Sequence, residues 1–330
     1  MDALSTMAAA AVATVAMIIV LRPLLQRYAL AIPNARSSHR IPTPQGGGIA
    51  VIAATIAVST AALLVGADVV EQRIAWILAA AAALAIVGVT DDIRPIEVLP
   101  RLLLQTLTIL VIVVVLPAEF RIVPLLPWSI ERLLLLFGGL WFVNLVNFMD
   151  GLDWMTVAEV VPITAGLALF GFMGALPHDA TLVALALCGA MIGFAPFNRP
   201  VARLFLGDVG SLPIGFLLTW MLIVLAGRHL AAALLLPLYY LADATVTLIQ
   251  RTVNGEPIIQ AHRGHYYQRA ADGGMSTYQI VGRVFAVNIL LVGLAAITIT
   301  TVSLPLHVAA LAAGCATVGI LLWNFGHKRR

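Results

Sequence analysis

Apolar runs of about 15–20 residues recur along the whole chain, with short polar segments between them. As helices, runs of this length cross the hydrocarbon core of a bilayer, and they are too continuous for barrel strands, which alternate and are shorter. Only 11% of the residues are charged, whereas soluble proteins carry about a quarter. The pattern predicts an all-α, polytopic membrane protein whose surroundings are the lipid bilayer, with no nucleic-acid partner.

About eleven transmembrane helices are predicted, within one integral membrane domain over residues 1–330. We place them near 3–21, 46–66, 74–89, 102–117, 132–147, 156–175, 181–195, 210–226, 230–249, 279–300 and 308–325. The first run follows Asp2 and has no basic residue before it, which favours a retained span over a cleaved signal.

Basic residues are concentrated on one side of this arrangement. The loops of that side lie near 22–45, 90–101, 147–155, 196–209 and 250–278. The opposite loops keep only Arg73, Arg121, Arg132 and Arg228. By the positive-inside rule the basic side is cytoplasmic, which places the N-terminus outside and the C-terminus inside. An odd number of spans predicts the same orientation.

A polar stretch at the end of the fifth run carries four hydrogen-bonding side chains, Asn144, Asn147, Asp150 and Asp153. Their spacing of three places successive side chains on roughly one face of a helix. Such groups are costly to bury without partners. Two interpretations stay open: a solvated helix end, or a site for a cation and a polar ligand at the membrane surface.

Two other loops of the basic side carry carboxylates. Adjacent Asp91 and Asp92 end the third run, where they suit a general base or a metal site, or form a solvated acidic turn beside Arg94. Asp208 stands between glycines 207 and 210, where it suits Mg²⁺ or caps a helix. Glycines 46–48 open the second run and allow either an anion to approach or close helix packing.

The fifth loop is the longest and is both basic and aromatic. It contains Arg251, Glu256, His262, Arg263, His265, Tyr266, Tyr267 and Arg269. Such residues grip phosphates and stack on a sugar or base, or contact lipid headgroups. Asp243 precedes the loop inside an apolar run, as a functional residue or as a partner of Arg251. No comparable clusters occur in the opposite loops, so a one-sided enzyme is favoured over a transporter.

In order along the chain, these loops resemble the polyprenyl-phosphate N-acetylhexosamine-1-phosphate transferases. The resemblance rests on Pro42–Gly48, Asp91–Asp92, Asn144–Asp153, Phe205–Ser211 and His262–Arg269. It implies transfer of a sugar-1-phosphate from a UDP-N-acetyl sugar to undecaprenyl phosphate, with release of UMP and with Mg²⁺, for which Mn²⁺ can substitute. The number of spans looks like the branch that initiates O-antigen at the bacterial inner membrane, and a second copy of the chain is a candidate partner.

The resemblance also implies roles for individual residues. It makes Asp91, Asp92 and Asp208 catalytic, with Asp208 and Asn147 as metal ligands. The implied substrate-binding residues are His39, Gly47, Asn144, Asp150, Asp153, Asn198, Phe205, Arg263 and His265. Asp153 and Phe205 match positions that bind and stack the uracil, and Arg263 and His265 match the basic loop that reaches the diphosphate or sugar.

The chain departs from the family pattern at several positions. Trp154 replaces a usual glycine, Gln45 a usual arginine and Arg101 a frequent lysine, and His265 is followed by Tyr-Tyr-Gln instead of further histidines. The form of this last loop looks like the subgroup that uses N-acetylated deoxyhexoses. Two alternatives remain beside the transferase: a lipid flippase or transporter without phosphotransfer, and an inactive scaffold.

Overall fold

The computed structural model describes residues 2–31, 41–66, 71–257 and 263–327. Its helices are α1 (Ala3–Tyr28), α2 (Gly47–Gly66), α3 (Gln72–Ile93), α4 (Val98–Val115), α5 (Trp128–Met149), α6 (Met155–Phe172), α7 (His178–Phe194), α8 (Asp208–Leu235), α9 (Leu238–Val253), α10 (Tyr266–Asp272), α11 (Thr277–Ile299) and α12 (Leu304–Gly326). Two short strands, β1 (Leu30–Ala31) and β2 (Thr43–Pro44), pair antiparallel with Leu30 opposite Pro44.

The prediction of an all-α, multi-pass membrane protein is confirmed. Within the described ranges, nine helices are long and apolar enough to cross a bilayer, and α7 is apolar but has 17 residues. The central helix is α8, since 94% of its most apolar stretch lies inside the bundle, against 22% for α1 and α4. The rest of the structure is arranged around the first turn of α8.

The predicted span near 230–249 does not form one helix. His229 leaves helical geometry within α8, and α9 begins after Pro237. Proline has no N–H to donate and its ring excludes the preceding helical turn, so the helix ends there. The apolar run continues across the proline, which is why hydrophobicity alone did not reveal the break.

Glycines allow α2 and α3 to approach the start of α8. A Cβ added to Gly48 would lie 2.3 Å from Cα of Gly210, and one added to Gly88 would lie 2.4 Å from the backbone N of Val209. The N–H groups of Gly47 and Gly48 donate to the carbonyls of Phe205 and Leu206, both at 2.9 Å. Because both N–H groups already have protein acceptors, they favour the interpretation that these glycines allow close helix packing over the interpretation that they allow an anion to approach.

A loop held by hydrogen bonds and an ion pair lies before α5, at the other end of the bundle. The Glu131 carboxylate accepts the N–H groups of Ile122 (2.6 Å) and Val123 (2.7 Å) and also pairs with Arg121. Arg132 donates to the carbonyl of Pro117 at 2.7 Å. This cluster is not evident from the sequence, because its charged side chains pair only once the chain has turned back on itself.

Gly48→Ala tests the packing around α8. The added methyl group meets backbone atoms that cannot rotate away, so we expect a loss of about 1–3 kcal/mol in the free energy of unfolding. The measurement is the apparent melting temperature in detergent. The matched control is Gly293→Ala in α11, where a Cβ meets no atom within 4 Å. Equal melting temperatures for the two variants would contradict the close approach.

Candidate functional site

A cavity of about 300 Å³ lies at the end of the bundle where α3 and α5 end and where α6 and α8 begin. Four carboxylates line it: Asp92, Asp150, Asp153 and Asp208. Other predicted site residues that line it are Asn147, Asn198 and Phe205. Three loops that were predicted on one side of the membrane therefore meet at one cavity.

Asp208 and Asn147 are in direct contact across α5 and α8. The Asn147 amide nitrogen donates to Oδ1 of Asp208 at 2.8 Å and to the Ser211 hydroxyl at 2.9 Å. Asp208 is the first residue of α8 and does not cap it, since the N-cap position is held by Gly207. The Asp208 carboxylate is thus available to the cavity.

Asp92 caps α8 from the end of α3. Its Oδ1 accepts the N–H of Asp208 at 3.0 Å and its Oδ2 accepts the N–H of Val209 at 3.2 Å. A carboxylate at a helix N-terminus is stabilised by the unpaired N–H groups and the helix dipole. Gln45, where the family usually has arginine, donates to the Asp92 carbonyl at 2.9 Å. Asp92 therefore positions Asp208, a role that the sequence analysis did not foresee.

Asp91 takes different partners from its neighbour. It accepts the N–H of Ile96 at 2.6 Å and pairs with Arg101 at 2.9 Å, and it does not line the cavity. Arg101, and not Arg94, is its basic partner, which corrects the acidic-turn alternative. The same Arg101 guanidinium lies 3.9 Å from Oδ2 of Asp208, so it links Asp91 to the cavity.

The loop between α5 and α6 is fastened to the loop before α8. Oδ2 of Asp153 accepts the N–H of Ala202 at 2.9 Å. Asn198 accepts the N–H of Trp154 at 2.7 Å and donates to the Leu204 carbonyl at 3.0 Å. These bonds fix the wall of the cavity that carries Phe205.

Trp154 has a left-handed backbone, with φ of 63°. Glycine, the residue that the resembled pattern has at this position, adopts this conformation without steric cost. A bulky residue needs compensation, which the indole obtains by donating to the Ala195 carbonyl at 2.6 Å and by packing edge-on against Tyr278, with centroids 5.9 Å apart. Trp154 therefore ties α6, α11 and the 195–198 segment together.

Asn144 lies away from the cavity. Its side chain is buried and donates to Gln105 Oε1 at 2.7 Å and to the Leu140 carbonyl at 2.8 Å. Asn144 therefore forms a polar contact between α4 and α5 outside the cavity. Its predicted role in substrate binding stays a prediction.

The fifth loop folds into α10, which packs against the cavity. Asp243 does not pair with Arg251, which bonds Glu256 at 2.8 Å. Asp243 instead accepts the N–H groups of Tyr266 (2.9 Å) and Tyr267 (3.2 Å) and so caps α10. The sequence pattern could not show this capping, because it joins residues 23 and 24 positions apart.

The predicted residues of this loop do not line the cavity, but Gln268 does. His265 is buried at the N-cap of α10, 3.5 Å from Asp243, and Arg263 pairs with Asp272 at 2.8 Å. Gly47 lies behind Phe205, and His39 lies outside the described residues. In the sequence, Gln268 stands out only as a departure from the resembled histidine pattern, and it reaches the cavity because α10 packs on the 148–151 segment.

The pKa of Asp150 is raised to about 8, mainly because the carboxyl is buried. The negative charges of Asp208, Asp92 and Asp153 contribute to this rise, and a hydrogen bond from the Thr156 hydroxyl opposes it. At neutral pH Asp150 therefore holds its proton, and the cavity carries less negative charge than four carboxylates suggest.

The donor set of the cavity fits Mg²⁺. In the part of the chain that the structure describes, no group of three or more His, Cys, Asp or Glu side chains is arranged around a metal position. Mg²⁺ commonly uses one or two carboxylates and keeps water or phosphate in its other positions. Asp208 supplies a carboxylate, and a half-turn of the Asn147 amide would present its oxygen beside it.

A family model described as glycosyl transferase family 4 matches residues 74–226. This segment runs from α3 into α8 and contains Asp91, Asp92, Asn147 and Asp208. The central segment of this chain is therefore similar to glycosyl transferase family 4. The family segment carries every cavity residue except Ala31, Gln45 and Gln268.

Curated relatives extend the family similarity over more of the chain. A probable undecaprenyl-phosphate N-acetylglucosaminyl 1-phosphate transferase of Bacillus subtilis is 24% identical over 82% of this chain and 80% of its own length. A phospho-N-acetylmuramoyl-pentapeptide-transferase of a Synechococcus species is 34% identical over 46% of this chain and 45% of its own length. A decaprenyl-phosphate N-acetylglucosaminephosphotransferase of Mycobacterium leprae is 28% identical over 58% of this chain and 52% of its own length.

Asp150→Asn tests the protonation of Asp150 in this cavity. Because the folded pKa is raised from 3.8 to about 8, the folded state binds the proton more tightly than the unfolded state. Folding stability of the wild type therefore falls as pH rises from 3.8 towards 8 and then levels off. We therefore expect the melting temperature of Asp150→Asn minus that of the wild type, both in detergent with EDTA, to increase as pH rises from 3.8 to 8.

The control for this series is Glu119→Gln, an exposed carboxyl in the loop at the other end of the bundle. Its melting temperature should follow the wild type at every pH. Parallel pH curves for the wild type and Asp150→Asn would show that the Asp150 carboxyl is already ionised at neutral pH.

Proposed function

We propose that this chain transfers an N-acetylhexosamine-1-phosphate from a UDP-sugar to undecaprenyl phosphate and releases UMP. The observation that carries the proposal is the contact between Asp208 and Asn147 in a carboxylate-lined cavity at one end of a membrane-spanning bundle. The names of the relatives, which act on undecaprenyl or decaprenyl phosphate, support it. A membrane-embedded acceptor and a water-soluble donor meet naturally at such a position.

The reaction joins two phosphates, so the cavity has to offset negative charge. Asp208 and Asn147 would hold Mg²⁺, which neutralises the diphosphate and the departing UMP and for which Mn²⁺ can substitute. Arg101, beside Asp208 and Asp91, adds a fixed positive charge. An oxygen of the lipid phosphate attacks the sugar-linked phosphorus, the bond to the bridging oxygen breaks, and UMP leaves with that oxygen.

The proton balance of this step needs no strong base. The second pKa of a phosphate monoester is about 6, so the lipid phosphate is largely ionised at neutral pH. Both oxygens of Asp92 accept N–H groups of α8, and Asp91 is paired with Arg101. We therefore assign these two carboxylates to orientation and charge balance. Asp153 and Phe205, which also line the cavity, are assigned to the uracil.

The proposed orientation places the cavity on the cytoplasmic face of the bacterial inner membrane. Ala31, just after α1, lines the cavity, and Gly326 at the end of α12 lies against Tyr266 of α10. The start of α1 and the end of α12 are therefore at opposite ends of the bundle, as an odd number of crossings requires. The excess of arginine in the loops at the cavity end supports the cytoplasmic assignment.

Asp208→Asn tests the reaction and the metal assignment together. With UDP-sugar and undecaprenyl phosphate, we expect the wild type to release UMP with Mg²⁺ or Mn²⁺ and not with EDTA. Loss of the carboxylate should lower turnover at least a hundredfold, on the order of removing one main electrostatic contact. Glu119→Gln should retain wild-type turnover. Full activity of a folded Asp208→Asn variant would refute the assignment.

A panel of UDP-N-acetyl sugars tests the finer proposal, that the chain starts a cell-surface polysaccharide such as O-antigen. We expect polyprenyl-linked product from N-acetylglucosamine or from an N-acetylated deoxyhexose such as N-acetylquinovosamine or N-acetylfucosamine. Product formed only from the muramoyl-pentapeptide donor would contradict the polysaccharide role. Vesicle transport of lipid without release of UMP would favour a flippase instead.

A further inference from the structure

A second recess, of about 340 Å³, lies between the first turns of α6 and α11. We call it the α6–α11 groove, and its walls include Trp154, Val157, Ala158, Tyr278, Gly282 and Phe285. Its lining is almost wholly apolar apart from the indole and phenol groups. The groove shares no lining residue with the carboxylate cavity.

The groove opens on the outside of the bundle. Tyr278 and Phe285 are 48% and 42% exposed, and Gly282 is also exposed. Both α6 and α11 are long and apolar enough to cross a bilayer, so this surface faces lipid. An apolar recess in contact with lipid is filled by hydrocarbon, because water gains no hydrogen bonds there.

A cationic group stands at the mouth of the groove. The Nε of Arg199 donates to the Tyr278 hydroxyl at 3.2 Å, and that hydroxyl donates to the Pro200 carbonyl at 3.0 Å. Arg199 is exposed, and within the described residues no carboxylate lies within 4.0 Å of its guanidinium. Arg203, on the same loop, is also exposed. An anionic headgroup complements this mouth.

We propose that the α6–α11 groove binds one anionic phospholipid, with an acyl chain between the helices and its phosphate at Arg199. The occupant is a bilayer lipid and not the polyprenyl substrate. Arg199 does not line the carboxylate cavity, and the two recesses share no lining residue, so a phosphate at Arg199 is outside the cavity that contains Asp208.

Trp154 connects the lipid site to the cavity. Its ring lines the groove, while its backbone N–H donates to Asn198, which lines the cavity. Its indole N–H also fixes the Ala195 carbonyl. An acyl chain packed against the Trp154 ring would hold this wall of the cavity in place. The bound lipid would then help to shape the site.

The test uses Trp154 as the reporter and needs no enzyme activity. The full chain is placed in phosphatidylcholine nanodiscs that contain either brominated phosphatidylglycerol or the same amount of brominated phosphatidylcholine. Bromine quenches tryptophan fluorescence on contact. The quenching of Trp154 is obtained as the difference between the total quenching in the wild type and that in Trp154→Phe. We expect about a fivefold preference for phosphatidylglycerol in this difference, since one arginine near the surface attracts an anionic lipid to that extent.

Variants in α11 locate the site. Gly282→Leu should fill the groove and abolish the preferential quenching, because a Cβ there meets no atom within 4 Å and the side chain occupies the recess. Gly293→Leu, on the same helix and equally free of contacts, should keep it. Arg199→Gln should make the two brominated lipids equal, whereas the exposed Arg94→Gln should not. If Gly282→Leu fails to fold, Phe285→Ala should widen the groove and increase quenching.

Three results would overturn the proposal. The first is equal quenching of Trp154 by the two lipids in the wild type. The second is unchanged quenching in both Gly282→Leu and Phe285→Ala. The third is relief of quenching by undecaprenyl phosphate beyond that by an equal amount of unlabelled phosphatidylglycerol, which would assign the groove to the prenyl substrate.

Discussion

The Asp92 carboxylate at the start of α8 is the interaction on which the site depends. By accepting the N–H groups of Asp208 and Val209, it fixes the end of α3 to the first turn of the central helix. Gly48 and Gly88 make this possible, because any larger side chain would separate the helices. The direction of the Asp208 carboxylate, and hence its contact with Asn147, follows from this junction.

The four cavity carboxyl groups and Asp91 are each stabilised in a different way. Asp92 is stabilised by helix N–H groups, Asp91 by Arg101, and Asp153 by the N–H of Ala202, while Asp150 remains protonated at neutral pH. Among the described residues, the donors to the Asp208 carboxylate are the Asn147 amide and the more distant Arg101, and its other side-chain neighbour is the acidic Asp91. The carboxylate with the least complete compensation is thus the one to which we assign the cation, since a bound cation would complete its coordination.

Trp154 separates two environments that meet at one loop. On one side lies the polar cavity, and on the other the apolar groove between α6 and α11. A left-handed backbone, which glycine adopts without steric cost, is here adopted by a residue with a large side chain that has its own hydrogen bond and ring contact. The cost of that conformation is of order 1–2 kcal/mol, and the contacts of the indole offset it.

Much of this protein could be predicted from the sequence, since apolar length is a local property that one segment carries by itself. The run at 46–66 and the polar segments around Asp91, Asn147 and Asp208 identified the membrane class and the residues that meet at one end of the bundle. Only the tertiary structure decided which partner each side chain takes. Asp92 reaches α8 and Asp91 reaches Arg101 because adjacent residues of a helix point in different directions. Asn144 turns to Gln105, and Asp243 caps α10, because these partners depend on the rotation and crossing of helices that no single stretch of sequence specifies.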